Sequence, residues 1–284
     1  MAYRQYLLNE DTDNDSGKVR MRSLNGTSEK RVEPPHLFFA FAELPRALLE
    51  FISLLPAHPL VRNAPGGDGH PVITLPGFRG NDTSMNVLRR YLEHWGYDPH
   101  PWGLGTNLGI GFDRVYYERR FLSQLERVAR RRGQPVSIIG WSQGGVIARQ
   151  AAKRRPELVR QVITLGSPIG DSPEATTIWR IFERTSEQEI TPELMAYLKE
   201  VASPVPQVRC TCVYSRSDGI VSPDIAQDKV SPLAENICVT ASPFGMGVNP
   251  SVLLVIADRL AQKEPEWKPF DARGFRRILA RKPV

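Results

Sequence analysis

Val136-Ser137-Ile138-Ile139-Gly140-Trp141-Ser142-Gln143-Gly144-Gly145 reads as a short apolar strand that runs into a Gly-x-Ser-x-Gly turn and then a helix. Such a turn makes chemical sense only if Ser142 is held in a strained conformation that lifts its hydroxyl above the strand end. Gly140 and Gly144 then keep the turn free of side-chain collisions, and Gly145 lets the helix approach closely. A bare Gly-x-Ser-x-Gly arises often by chance. Here Val146, Ile147 and Ala151 continue at helical spacing until Pro156, so strand, turn and helix support one another.

Outward from this turn, strands and helices alternate. Upstream lie a strand at Pro71–Leu75, a helix over about Thr83–Trp95, an extended stretch near Tyr97–Leu104 and a helix from about Asp113 to Arg132. Downstream come strands at Val159–Leu165, Val208–Tyr214 and Asn236–Thr240, then a helix started by Asn249-Pro250. This order predicts an α/β fold, a mostly parallel sheet with helices on both faces, and ligand binding at the carboxyl ends of the strands. The alternation breaks at 170–204. Helices around Ile178–Phe182 and after Thr191-Pro192 form an insertion, either a lid over the site or an extra layer. The domain is expected over 35–262, between a polar segment 1–34 and a basic tail 263–284.

The motifs resemble the α/β-hydrolase superfamily, in particular bacterial lipase/esterase-like proteins. The residues that carry the resemblance are Leu75-Pro76-Gly77-Phe78, Trp102-Gly103-Leu104-Gly105 with Asn107, Gly140 to Gly145, Leu165-Gly166-Ser167-Pro168 and Tyr214 to Val221. It implies that Ser142 is the nucleophile toward an ester or acyl carbonyl. It makes the backbone N–H groups of Phe78 and Gln143 the oxyanion hole, and Asp218 the acid that orients a histidine. The implied ligand is a small apolar ester or acyl compound, with no cofactor and no metal.

The histidine is missing from its place. All five histidines (His36, His58, His70, His94, His100) precede Ser142, whereas in this superfamily the partners of the serine turn, the nucleophile elbow, follow it in the order Asp or Glu, then His. Relatives of this type read Gly-Ser-His-x-Gly-hydrophobic-Gly after the last parallel strand. This chain reads Ala241-Ser242-Pro243-Phe244-Gly245-Met246-Gly247, which puts Pro243 in the histidine slot. Proline has neither an ionisable group nor a backbone donor. Three readings follow: an ester hydrolase impaired or rescued by an unusual base, an inactive pseudo-hydrolase that binds an acyl ligand or a protein partner, or an interaction protein working through its basic tail. His70 precedes the first strand and belongs at the opposite end of the sheet. His94 sits near a helix end, and His100 in or beside a strand.

Composition narrows the rest. At 284 residues, with 41% hydrophobic and 24% charged residues, the chain is an ordinary globular domain in size and balance. From Lys263 onward seven Lys/Arg oppose three Asp/Glu, so net +4 of the formal +6 lies in the tail. That tail reads as a solvated amphipathic extension with weak attraction to an anionic membrane surface; nothing indicates nucleic-acid binding. Three cysteines without zinc-ligand spacing read as buried thiols. Leu37 to Leu55 is apolar, but Glu43, Pro45, Arg46 and Glu50 interrupt it, which predicts a helix docked on the domain rather than a membrane span. With no signal peptide visible, a cytoplasmic protein is expected.

Overall fold

A computed structural model describes residues 37–109, 114–170, 192–263, 266–271 and 280–281. Its chain order is α1 (Leu37–Arg62), β1 (Pro71–Leu75), α2 (Asn86–His94), β2 (Asp98–Pro101), α3 (Arg114–Arg132), β3 (Val136–Trp141), α4 (Gln143–Arg154), β4 (Val159–Leu165), α5 (Pro192–Ala202), β5 (Arg209–Ser215), β6 (Ala234–Val239), α6 (Pro250–Leu260) and β7 (Ala280–Arg281). The strands form one sheet in the order β2-β1-β3-β4-β5-β6-β7. The first six are mutually parallel, and β7 closes the β6 edge antiparallel.

Alternation along the strands builds the two faces, because successive side chains point to opposite sides. Val72, Ile139, Ile163, Leu165, Val213 and Ile237 pack under α2 and α6, with Leu54 and Val61 of α1. Ile73, Leu75, Ile138 and Val162 pack under α3 and α4, whose Phe121, Leu125, Ile147 and Ala151 fill the other side. A parallel sheet buried on both faces is what the continuous apolar strands require. Helix α6 starts where Asn249 accepts hydrogen bonds from the Ser251 and Val252 N–H groups, with Pro250 at its first position.

Part of the expected insertion, 171–191, lies outside the described residues. Helix α5 buries Tyr197 and Val201 against Val146, Ile169 and Cys212. The Lys153 ammonium donates to the carbonyls of Glu200 and Val201 and to Ser203 Oγ, satisfying acceptors at the end of α5.

The described part of the tail differs from a solvated extension. Trp267 is flanked by the Arg209 and Arg259 guanidiniums, 4.7 and 5.1 Å from its ring centre. Phe270 is buried, its N–H donates to Glu235, and Ala280 pairs with Val239. Aromatic side chains among the tail's charges explain the difference, since stacking on arginine and burial of Phe270 offset the cost of ordering the segment.

Candidate functional site

Two non-glycine residues among those described have positive φ, Arg79 (57°) and Ser142 (50°), and both lie at the carboxyl ends of neighbouring strands. Conformations of this kind cost on the order of 1–3 kcal/mol and persist only where the surroundings enforce them. At Ser142 (φ 50°, ψ −120°) the enforcement is visible. Its N–H donates to Leu165 O (2.8 Å), and its carbonyl accepts from Gly145 N (3.0 Å). The crossing of β3 into α4 leaves no room for side chains. A Cβ on Gly144 would lie 2.5 Å from Leu75 O, one on Gly140 would meet the Gly145 backbone, and one on Gly145 would meet Ser167 Oγ.

The loop after β1 comes up against this turn. A Cβ on Gly77 would be 3.2 Å from Ser142 Cβ, so Phe78 follows immediately beside the serine. Asn107, which is buried, fixes that loop. Its side-chain amide donates to Pro76 O (3.0 Å), its carbonyl accepts from Arg79 N (2.6 Å), and its N–H donates to Gly80 O (2.8 Å). The Phe78 ring lies against Gly109, as does the Gln143 carboxamide at longer range. Among the described residues, neither the Phe78 nor the Gln143 N–H has a protein acceptor. Asn107 was a landmark in the sequence without a role; its three bonds give it one as a positioning residue for this loop.

Asp218 is buried in the turn after β5. Its Oδ1 accepts from Ile220 N and Val221 N, both at 2.8 Å, and a Cβ on Gly166 would lie 3.2 Å from Oδ2. The carboxylate thus sits beside the end of β4, one strand over from Ser142. Pro243 lies in the loop after β6, where its carbonyl accepts from Trp141 Nε1 at 2.9 Å. The structure therefore gathers Ser142, the Phe78 loop, Asp218 and Pro243 at the same ends of β1, β3, β5 and β6.

No histidine joins them among the described residues, and no side chain there accepts the Ser142 hydroxyl. His58 Nδ1 meets Tyr91 Oη at 2.7 Å, His94 accepts from Arg62, and His100 Nε2 bonds Asp98 at 2.6 Å. His36 lies outside the described residues. His70 is the instructive case, since it sits in a Ser–His–Asp chain of its own. Its Nε2 is 2.8 Å from Ser137 Oγ, its Nδ1 bonds Asp68, and Arg160 holds the other Asp68 oxygen at 2.9 Å. Burial pushes the His70 pKa down, partly offset by the Asp68 hydrogen bond, so the ring is neutral. Nδ1–H then donates to Asp68 and Nε2 accepts from Ser137. Ser137 and His70 are both 0% exposed, early in β3 and before β1. A substrate cannot reach them, and the chain of bonds satisfies buried polar groups instead.

Helix α1 supplies two contacts to the site's loops. Arg46 donates to Ser217 O (2.7 Å), Ser217 Oγ (2.8 Å) and Ala241 O (3.4 Å). Glu50 Oε1 accepts from Ser242 N at 2.5 Å. Desolvation raises the Glu50 pKa despite that bond. One turn apart on α1, these side chains brace the loop before Asp218 and the loop of Pro243.

Comparison with known proteins agrees with this architecture. A family profile described as the alpha/beta hydrolase fold matches residues 112–188. The chain is 28% identical over 123 residues to the mouse (Mus musculus) serine hydrolase BPHL, which is 40% of this chain and 42% of that protein. The match thus spans about two fifths of that relative's length. Among solved structures, the Bacillus licheniformis lipase BlEst2 superposes with a TM-score of 0.53 at 16% identity, over 70% of this chain and 95% of that one. The mouse alpha/beta hydrolase domain-containing protein 10 gives 0.51 at 18% identity, over 68% and 90%. At such identities the structural likeness is one of fold, and it agrees with the sheet order and the strand–turn–helix at Ser142: the chain is an α/β-hydrolase-fold protein.

Proposed function

We propose that the chain binds a carboxylic ester or related acyl compound above Ser142 and accepts the acyl group on Ser142 Oγ. The observation that carries this reading is the enforced positive-φ conformation of Ser142 between β3 and α4. In the reaction, Oγ bonds to the carbonyl carbon while the carbonyl oxygen takes negative charge facing the Phe78 and Gln143 N–H groups. Each such donor is worth about 3–4 kcal/mol to a transition state of this kind. The alcohol oxygen then leaves with the serine proton, and water later releases the acid. Likeness to a protein named as a serine hydrolase, and in fold to one named as a lipase, supports the ester class.

With Pro243 in the histidine slot, no side-chain base for the serine proton stands among the described residues, and turnover without one would be slow. Sites stripped of one triad member still exceed water by about 10³–10⁴-fold. A second reading, a binding protein that holds an acyl ligand without turnover, is favoured by one contact: Trp141 Nε1 fastens the loop through the carbonyl of Pro243, a residue with no ionisable group.

A fluorophosphonate probe and p-nitrophenyl esters separate the readings. Slow labelling and turnover by the native chain, absent in Ser142→Ala, supports the first. No labelling but saturable binding of a fluorescent acyl analogue supports the second. Equal labelling of native and Ser142→Ala protein removes Ser142 from both.

A further inference from the structure

Helix α3 carries arginines along the face it turns toward β2, the edge strand of the sheet. Gln124, Arg127, Val128 and Arg131 follow the i, i+3, i+4, i+7 spacing of one helical face. With Arg132 they line a cavity of about 480 Å³, bounded on the β2 side by His100 and Gly103. None of these residues belongs to the site around Ser142.

The positive charge of this cavity is only partly balanced. Asp98 is already taken, since its Oδ2 accepts from His100 Nε2 at 2.6 Å and from Arg132 Nε at 2.7 Å. Arg130, off this face, pairs with Glu126. Arg127 and Arg131 stand one turn apart on α3, and neither has an acidic partner among the described residues. Like charges at that spacing repel each other, and an anion held between them removes the repulsion.

The lining also says which anion. Guanidinium forks pair with oxyanions two oxygens at a time. Three of them offer more donors than the two oxygens of a carboxylate accept, and they suit the three free oxygens of a phosphate ester. Gln124 adds a different demand. Its Nε2 donates to Pro101 O at 2.6 Å, which orients the carboxamide, and among the described residues no donor meets its Oε1. A Cβ on Gly103 (φ 68°) would lie 3.3 Å from that oxygen, so glycine there keeps the acceptor clear. An acceptor beside three cations calls for a hydroxyl on the same ligand. The volume agrees: about 480 Å³ is far more than inorganic phosphate fills, and it falls within the roughly 300–1,000 Å³ of small-molecule sites.

We propose that this cavity binds a small phosphorylated polyol, with its phosphate among Arg127, Arg131 and Arg132 and a hydroxyl donating to Gln124 Oε1. Binding there does not depend on chemistry at Ser142.

The test is isothermal titration calorimetry of the full chain at low salt with glucose 6-phosphate, glucose, inorganic phosphate and citrate. Glucose 6-phosphate should bind saturably, more tightly than inorganic phosphate or citrate, and glucose should not bind. The double variant Arg127→Gln, Arg131→Gln should bind glucose 6-phosphate at least about tenfold more weakly, at an unchanged circular dichroism spectrum, through loss of two charge-assisted contacts. Ser142→Ala should bind as the native chain does, which keeps this outcome separate from ester chemistry. The proposal is overturned if the native chain binds neither phosphate compound, if citrate binds as tightly as glucose 6-phosphate, or if the double variant keeps full affinity. It is equally overturned if inorganic phosphate matches glucose 6-phosphate, or if binding is lost on deleting residues 263–284.

Discussion

Trp141 and Pro243, 102 positions apart, are joined by an indole N–H to carbonyl hydrogen bond of 2.9 Å. The bond ties the residue before Ser142 to the residue proposed to occupy the histidine position, and it uses only backbone at 243. Substitution there can therefore change the side chain without releasing the loop. Pro243→His is expected to raise p-nitrophenyl ester turnover by about 10²-fold or more, the usual contribution of a positioned general base. Steady-state kinetics on the folded variant checks this; an inert variant would mean that 243 is not the slot.

The elbow is held by shape as well as by bonds. Gly144→Ala would put a methyl 2.5 Å from Leu75 O and 2.7 Å from Pro76 O, both backbone atoms that cannot swing aside. A loss of about 2–3 kcal/mol in urea-derived stability is expected, in the range of overpacked cores. Wild-type stability in this variant would show that the crossing of β1 and α4 is looser than described.

Beneath the elbow helix, Arg149 and Asp228 form a buried ion pair, and Asp228 Oδ1 also accepts from Val230 N (3.0 Å) and Ser231 N (2.8 Å). Arg149→Met alone leaves a buried carboxylate without its cation and should cost about 3–5 kcal/mol. Arg149→Met with Asp228→Asn should recover part of that loss. Chemical denaturation of the single and double variants measures the coupling, and simple additivity would contradict it.

Neutral, buried His70 makes stability depend on pH. Its folded pKa lies below the ordinary value of 6.5, so below about pH 6.5 the unfolded chain binds a proton that the folded chain refuses. Stability should therefore fall as pH drops through 6.5, and His70→Gln should flatten that slope. Glu50, whose folded pKa is raised from 4.5, acts in the opposite sense at lower pH: its contribution is lost as pH rises through its folded pKa. Comparing denaturation midpoints of native and His70→Gln protein between pH 7.5 and 5.5 isolates the histidine; parallel curves would remove it as the cause.

Much of the fold was legible in the sequence because its signals are local. Apolar runs such as Val159–Leu165 end at Gly166, and Asn249-Pro250 starts a helix by its own chemistry. Ser142 stood out by its strand–turn–helix setting, whereas Asp218 and Pro243 were singled out by resemblance to a family pattern. What stayed hidden depends on distant partners. Arg46 finds Ser217 across 171 positions, and nothing near Arg46 indicates that the polar side of α1 turns inward. The pairing of Ala280 with Val239 and the His70–Ser137 bond are equally non-local, and a two-residue strand in a basic tail has no periodicity to read.

Cys210, Cys212 and Cys238 are the chain's three cysteines, all free and buried, and burial pushes the Cys210 thiol up to about 12. Burial withholds these sulfurs from bulky reagents such as maleimides in the folded chain. The native chain is thus a blank background for site-directed labelling: one cysteine introduced at Leu55 or Phe244 would carry a spin label or fluorophore selectively, with no native thiol to remove first.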